Sequence, residues 1–337
     1  MHFGGGIIGA GAVMALAACA PLDAPEPGSA AVMPPTLFVA AKRGNTLSKV
    51  DLTTGKEVLR LPSCTNPHEL ATSPDGQHVA LACYGGTSVD VFRTSDLERV
   101  ASIDLGKSAR PHGIVWHDIG DLYVTAEGRQ SLFWIRDPLG ADRTLFEFGT
   151  GKQGSHMLAV SRDALMAWTT DLGSRTVTRV DLLTRRAPLS VTVGEEPEGI
   201  ALSPDGTTLW VSARGSDQAF ALDPLTMEVR ETVATGRFPL RIAVRPQGDV
   251  AVTSDLADGS LSVIDTATAK VTRSIAVSSP QDAEARQQVT ILWSDDGSKI
   301  YVAETGSDTV AEVDYASGTV LRRLKVGEGG DGMAILP

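Results

Sequence analysis

One ten-residue pattern recurs along this chain, and no other feature of the sequence restricts its fold as tightly. Its fullest copy is Pro197-Glu198-Gly199-Ile200-Ala201-Leu202-Ser203-Pro204-Asp205-Gly206. His68-Glu69-Leu70-Ala71-Thr72-Ser73-Pro74-Asp75-Gly76 repeats it, and Pro111-His112-Gly113-Ile114-Val115 opens another copy. His156-Met157-Leu158-Ala159-Val160-Ser161-Arg162-Asp163, the stretch from Pro239 to Gly248, and the stretch from Ile291 to Gly297 complete the internal set. Equivalent positions lie about 42 to 49 residues apart.

Each unit divides into four short strands. In the unit that starts at Pro197 the spacing predicts a first strand over Ile200–Ser203 and a tight turn at Pro204-Asp205-Gly206. A second strand follows over Thr208–Ala213, a third over Gln218–Asp223 and a fourth over Glu228–Ala234, ending at Gly236. Strands this short, punctuated every eight to twelve residues by Gly, Pro or Asp, are the mark of an all-β architecture. A lone four-stranded sheet leaves both faces wet, so the units must stack on one another. A period in the forties is that of propeller blades. Six units are whole, and the two ends supply a seventh. Residues 332–337 read as a first strand with nothing after it. Thr36–Ala40, Leu47–Asp51 and Glu57–Leu61 match a second, third and fourth strand. Joining the ends pairs two sheet edges that would otherwise be exposed. The expected fold is an all-β, seven-bladed β-propeller over residues 36–337, closed by N- and C-terminal strands that share one blade.

With those units in view, the chain resembles the YVTN-repeat propellers. Tyr301-Val302-Ala303 and Tyr123-Val124-Thr125 sit on second strands, and Ser262-Val263-Ile264-Asp265-Thr266-Ala267-Thr268 is similar to that family's third strand and turn. The resemblance covers nearly all of residues 36–337. WD40 repeats are disfavoured, because no Trp-Asp pair closes a blade. What the resemblance implies is a fold rather than a function, since such propellers host binding, scaffolding and some enzymes.

The start of the chain reads differently. Residues 4–18 are Gly, Ile, Ala, Val, Met and Leu only, too short for a comfortable transmembrane helix and suited to a signal peptide. Leu16-Ala17-Ala18-Cys19 resembles the bacterial lipobox, which implies that Cys19 is the lipidated first residue of an exported chain. Residues 19–35, rich in Pro and Ala, cannot bury enough apolar surface to order themselves and read as a tether. Ala20 is not Asp, and in lipoproteins of this kind that implies the outer membrane, on the periplasmic side. The net charge is −11 with no Lys/Arg run, which argues against a nucleic-acid partner. Membrane contact is expected only through the anchor, and the chain is expected to be a monomer.

Aligning the units places one residue per blade at the entry to the innermost strand: His68, His112, His156, Glu198, Leu240, Val289 and Asp331. Three histidines in consecutive blades, with acids beside them, are ligands for a divalent cation such as Zn²⁺. They also suit acid/base work near neutral pH. Alternatively they are turn residues that cap their own loops. Arg110, Arg237 and Arg241 flank the entry turns, and the loop after each second strand adds Lys42, Arg43, Tyr84, Glu127, Arg129, Asp171, Arg214, Asp255 and Glu304. The expected ligand-binding set at the mouth is His68, His112, His156, Glu198, Asp331, Arg110 and Arg241, with His68, His112 and His156 the metal candidates. No cofactor is required by any motif, although a divalent metal is possible. Cys64 and Cys83 fall on the mouth side of one blade, so a disulfide is expected; a Cys83/His68 pair is the alternative. The favoured function is a binding or scaffold module that takes a small polar ligand or a protein partner at the channel mouth. The alternative is a metal- or His-dependent lactonase or lyase using the same mouth.

Overall fold

The computed structural model describes Met1 and residues 34–184 and 186–337. The leader, Cys19 and the tether up to Met33 lie outside the described residues. Among the described residues no helix is long and apolar enough to cross a membrane.

Residues 34–337 form seven four-stranded antiparallel sheets, and the innermost strands touch one another in ring order. This is a seven-bladed β-propeller. Six sheets are continuous in sequence. The remaining one, counted here as the first blade, pairs Gly330–Leu336 with Thr36–Ala41, matching Leu336 to Thr36 and Met333 to Val39. Its third and fourth strands are Thr46–Asp51 and Lys56–Pro62.

Burial falls from the hub to the rim, as stacked blades require. Second strands such as Leu122–Ala126, Leu209–Ala213 and Val250–Asp255 are buried on both faces because each lies between two neighbouring blades. They therefore read as nearly continuous apolar and hydroxyl runs rather than alternating ones. Outermost strands such as Lys56–Pro62 alternate or are mostly exposed. Seven apolar clusters hold the disc, one at each blade interface. Phe38, Leu47, Leu70 and Leu81 join the closing blade to the next, and Trp210, Ala219, Ile242 and Ile264 join the fifth blade to the sixth. Stability is thus distributed around the ring, with each blade leaning on its two neighbours.

The recurring Ser-x-Asp turns lie on the face away from the mouth. In each, the Ser hydroxyl donates to the Asp carboxylate and accepts a backbone N–H five residues on: Ser203 Oγ reaches Asp205 Oδ1 at 2.6 Å, and Thr208 N reaches Ser203 Oγ at 3.0 Å. That local chemistry explains the repeated sequence without any ligand. On the mouth side, Cys64 and Cys83 are joined by a disulfide with Cα atoms 5.7 Å apart. Besides three single-turn 3-10 helices, one α-helix among the described residues departs from the all-β reading. A short helix, Pro280–Arg286, occupies the longer connection between the sixth and seventh blades, with Ser279 accepting the Asp282 N–H as its cap.

Candidate functional site

The innermost strands begin earlier than the sequence suggests, and this matters for the site. The strand expected at Ile200 spans Pro197–Leu202, and its counterparts span Pro67–Thr72, Pro111–Trp116, Ser155–Val160, Pro239–Val244 and Gln288–Trp293. Each breaks register between its first and fourth residues, as between Pro197 and Ile200 or Pro67 and Leu70. The ring residues His68, His112, His156, Glu198, Leu240, Val289 and Asp331 therefore sit on β-bulges inside strands, not in entry loops. A bulge interrupts the pleat and re-aims a side chain.

The backbones packed behind them are close. A Cβ on Gly199 would stand 2.6 Å from the amide nitrogen of Ile242 and 2.8 Å from Cα of Arg241. One on Gly332 would lie 2.0 Å from the His68 carbonyl oxygen. Glycine at these positions lets consecutive blades approach at the hub.

The mouth cavity has a volume of about 310 Å³, within the range of small-molecule sites. His68, His112, His156, Glu198, Arg241 and Asp331 line it together with Lys42, Arg214, Leu240 and Val289. Arg241 is its main strut. Its guanidinium donates to Oε1 of Glu198 in the neighbouring blade and, at 2.8 Å, to Oε1 of Glu69 across the hub. All three side chains are nearly fully buried: Arg241 is 6% exposed, Glu69 5% and Glu198 4%. Arg214 pairs with the other Glu198 oxygen.

His156 lies between two acids, its Nδ1 against Glu127 Oε1 and its Nε2 3.3 Å from Glu198 Oε1. Tyr84 donates to Glu127 Oε2 at 2.7 Å, and Arg110 donates to the Tyr84 hydroxyl from above its ring. The imidazoles follow one another around the hub, His112 and His156 tilted by 33° with centroids 3.7 Å apart and His68 meeting His112 edge-on at 4.8 Å. His112 Nδ1 is buried and has no hydrogen-bond partner. His68 donates Nδ1–H to the Asn66 carbonyl at 3.1 Å, and its Nε2 stands 4.0 Å from Asp331, which Lys42 holds at 2.9 Å.

These contacts set the protonation of the site. Burial opposes charge on His156, but the Glu127 and Glu198 carboxylates outweigh it and hold its pKa above the ordinary value. Burial pushes His112 well below that value, and the neighbouring His156 and His68 add to the effect. His68 is also lowered by burial, with Asp331 opposing. Burial would raise Glu198, yet Arg241, His156 and Arg214 hold it well below the usual carboxylate range. Both ring nitrogens of His156 face carboxylate oxygens, so it sits as a double donor, with its ring tilted 33° from that of His112. Lys42, Arg214, Arg241 and protonated His156 balance Glu69, Glu127, Glu198 and Asp331, so the wall neutralises itself.

Of the seven expected binding residues, six line the cavity and one does not. Arg110 is exposed and reaches the network only through Tyr84. The second-loop set needs a larger correction. Asp171, Asp255 and Glu304 do not face the mouth; each ends its second strand and is fully buried within its own blade. Asp171 takes hydrogen bonds from Ser155, Thr169, Thr176 and Thr178, and Asp255 from Thr253 and Ser262. Burial leaves Asp255 raised to about 6 despite those donors.

The mouth position is the next residue: Lys42, Tyr84, Glu127, Leu172, Arg214, Leu256 and Thr305. Successive strand residues point to opposite faces, so an offset of one exchanges mouth for core. Gly85, Gly128, Gly173, Gly215 and Gly306 directly follow five of these residues and give the register. On the rim, Arg43 pairs with Asp308, Arg129 with Glu147 and Arg237 with Asp258. Glu69 was missed altogether; only its partnership with Arg241 reveals it. His68 also stands apart from the metal candidates. One ligating atom each from His112, Glu127 and His156 lies within 4.8 Å of the others, and His68 is not in that group.

The fold and its mouth define a seven-bladed propeller with a polar, self-neutralised hub cavity. No protein-family model matches the chain, and no curated protein matches it. Solved structures do match. The chain is similar to Kuenenia stuttgartiensis hydrazine synthase at 17% identity and a TM-score of 0.68, covering 83% of this chain and 92% of that one. It is similar to virginiamycin B lyase from Staphylococcus aureus at 16% identity and a TM-score of 0.66, over 80% and 88%. It is also similar to the dihydro-heme d1 dehydrogenase NirN at 15% identity and a TM-score of 0.66, over 89% and 74%. At such identities the likeness is one of fold.

Proposed function

We propose that this chain is an exported, lipid-anchored propeller of the YVTN-repeat kind whose hub cavity recognises a small polar ligand. The observation that carries the reading is the unpartnered His112 Nδ1 in the wall of a cavity of about 310 Å³ lined by eight charged or imidazole side chains. A buried polar atom without a partner is costly, and a ligand that supplies one recovers that cost. Because the wall charges already balance, a neutral or zwitterionic solute enters without leaving a buried charge unpaired. Leu240 and Val289 form an apolar arc opposite the histidines, which suits a ligand with one apolar side.

Saturation-transfer NMR with glycine, glucose and acetate, on EDTA-stripped protein, tests this. At least one of glycine and glucose should contact the protein and acetate less so, and His112→Ala should abolish the contact while the melting temperature stays within a few degrees. Contact by none of the three, or contact unchanged in His112→Ala, overturns the reading. The anchor is tested separately. Cys19→Ser should move the protein from membrane to soluble periplasmic fractions, and an unchanged membrane fraction refutes lipidation.

A second reading, a His- or metal-dependent lyase or lactonase at the same mouth, is supported by His156. An imidazole that donates to two carboxylates, with its centroid 3.7 Å from that of His112, whose Nδ1 has no partner, places a proton donor beside a proton acceptor. The solved structures that share this fold include lyases.

A further inference from the structure

We infer that His112, Glu127 and His156 form a site for one divalent transition-metal ion, of the Zn²⁺ or Co²⁺ class, with its remaining position open to the hub cavity. The inference goes beyond the proposed recognition site and relies on that reading only for the cavity into which the open position faces. Three observations support it.

The first is chemical. Two imidazoles and one carboxylate are the donor set of a three-ligand site that keeps a position free for water or a substrate. The donors come from three different places: the bulges of two consecutive blades and the loop residue that follows a second strand. Each is therefore positioned by a separate, rigid part of the scaffold.

The second is spatial. The three ligating atoms lie within 4.8 Å of one another. Around a tetrahedral ion with bonds near 2.1 Å, ligand atoms are about 3.4 Å apart. No pair then has to close by more than about 1.4 Å, while the His156 Nδ1–Glu127 Oε1 pair opens from hydrogen-bond contact as the ion takes the place of the proton between them. His112 is 2% exposed and its Nδ1 has no partner, so one member of the set has no competing structural role for that atom. The other group of three candidate ligands, Cys64, Cys83 and Asp90, is spent, since its thiols are joined in a disulfide.

The third is the outer layer. Tyr84 donates to the Glu127 oxygen that faces away from His156, Arg110 steadies Tyr84, and Glu198 holds the far nitrogen of His156. Carboxylate and imidazole ligands fixed by a second set of hydrogen bonds are typical of built metal sites.

The test uses the full chain, purified without a polyhistidine tag, stripped with EDTA and titrated with Co²⁺. One equivalent should bind, give the visible bands of a four- or five-coordinate nitrogen/oxygen site, and be displaced by one equivalent of Zn²⁺. His112→Ala and the more conservative Glu127→Gln should each weaken binding by roughly 100-fold, and Tyr84→Phe by about 10-fold. Circular dichroism checks that the variants are folded. Absence of Co²⁺ uptake at about 0.1 mM overturns the proposal, as do uptake unchanged in both ligand variants or a thiolate charge-transfer band. The glycine and glucose contacts are measured on stripped protein, so loss of metal binding and loss of solute recognition are separate results.

Discussion

A chain shortened to end at Asp331 is expected to lose its cooperative melting transition or to melt at least about 10 °C lower, and to aggregate at concentrations where the full chain is soluble. Removing residues 332–337 deletes most of the strand Gly330–Leu336, including the buried Met333 and Ala334. It also unpairs Thr36 through Val39, whose partners are Leu336 through Met333. The inner edge of Thr36–Ala41 then opens at the hub, and an open edge is a template for pairing with another chain. Because blade contacts form a closed circle, the loss removes the closing blade's share of two interfaces at once. Scanning calorimetry with light scattering measures both effects. A truncated protein that melts like the full chain refutes closure by the shared blade.

Replacing Arg241 by Met should destabilise the protein by about 3–5 kcal/mol in urea unfolding, because it leaves Glu69 and Glu198 buried without their shared cation. Methionine keeps an apolar stem, so the effect reports chiefly the loss of the guanidinium with its charge and hydrogen bonds. Combining Arg241→Met with Glu69→Gln and Glu198→Gln should recover most of the loss. The pH dependence has a definite sign. Glu198 is depressed in the folded protein, so its contribution is complete above the unfolded carboxylate pKa near 4.3 and is lost as pH falls below it. Arg241 is the main source of that depression, so the gap between wild type and Arg241→Met should be widest above about pH 5 and narrow on acidification. A single variant within 1 kcal/mol of wild type at pH 7 overturns the strut.

The architecture was legible because it is written seven times. The Ser-x-Asp turns, the second strands and the unmatched ends each carry the same message, and the closing blade follows from the parts left over. The mouth was half legible. Residues at the bulges aligned correctly because Pro or Ser precedes most of them and an apolar strand follows. Their placement in loops was wrong, since a bulge has no residue signature apart from an occasional glycine. The second ring slipped by one at Asp171, Asp255 and Glu304, because three of the seven strand ends carry acids whereas Glu127 is the one acid among the true mouth positions. Glu69 and Arg241 illustrate what one sequence cannot contain. Their meeting joins two blades that are neighbours neither in the chain nor around the disc, and only the diameter of the closed ring brings them together.

The repeated bulge also frees the hub from the scaffold. A ladder residue must satisfy its cross-strand partner, whereas a bulged residue lies outside that obligation, so its identity can change while the pairing stays intact. One backbone thus presents imidazole at three stations, carboxylate at two, and aliphatic side chains at Leu240 and Val289. The hub works as a seven-key lock on a fixed barrel: new specificities can be set by exchanging keys, without a change to the barrel.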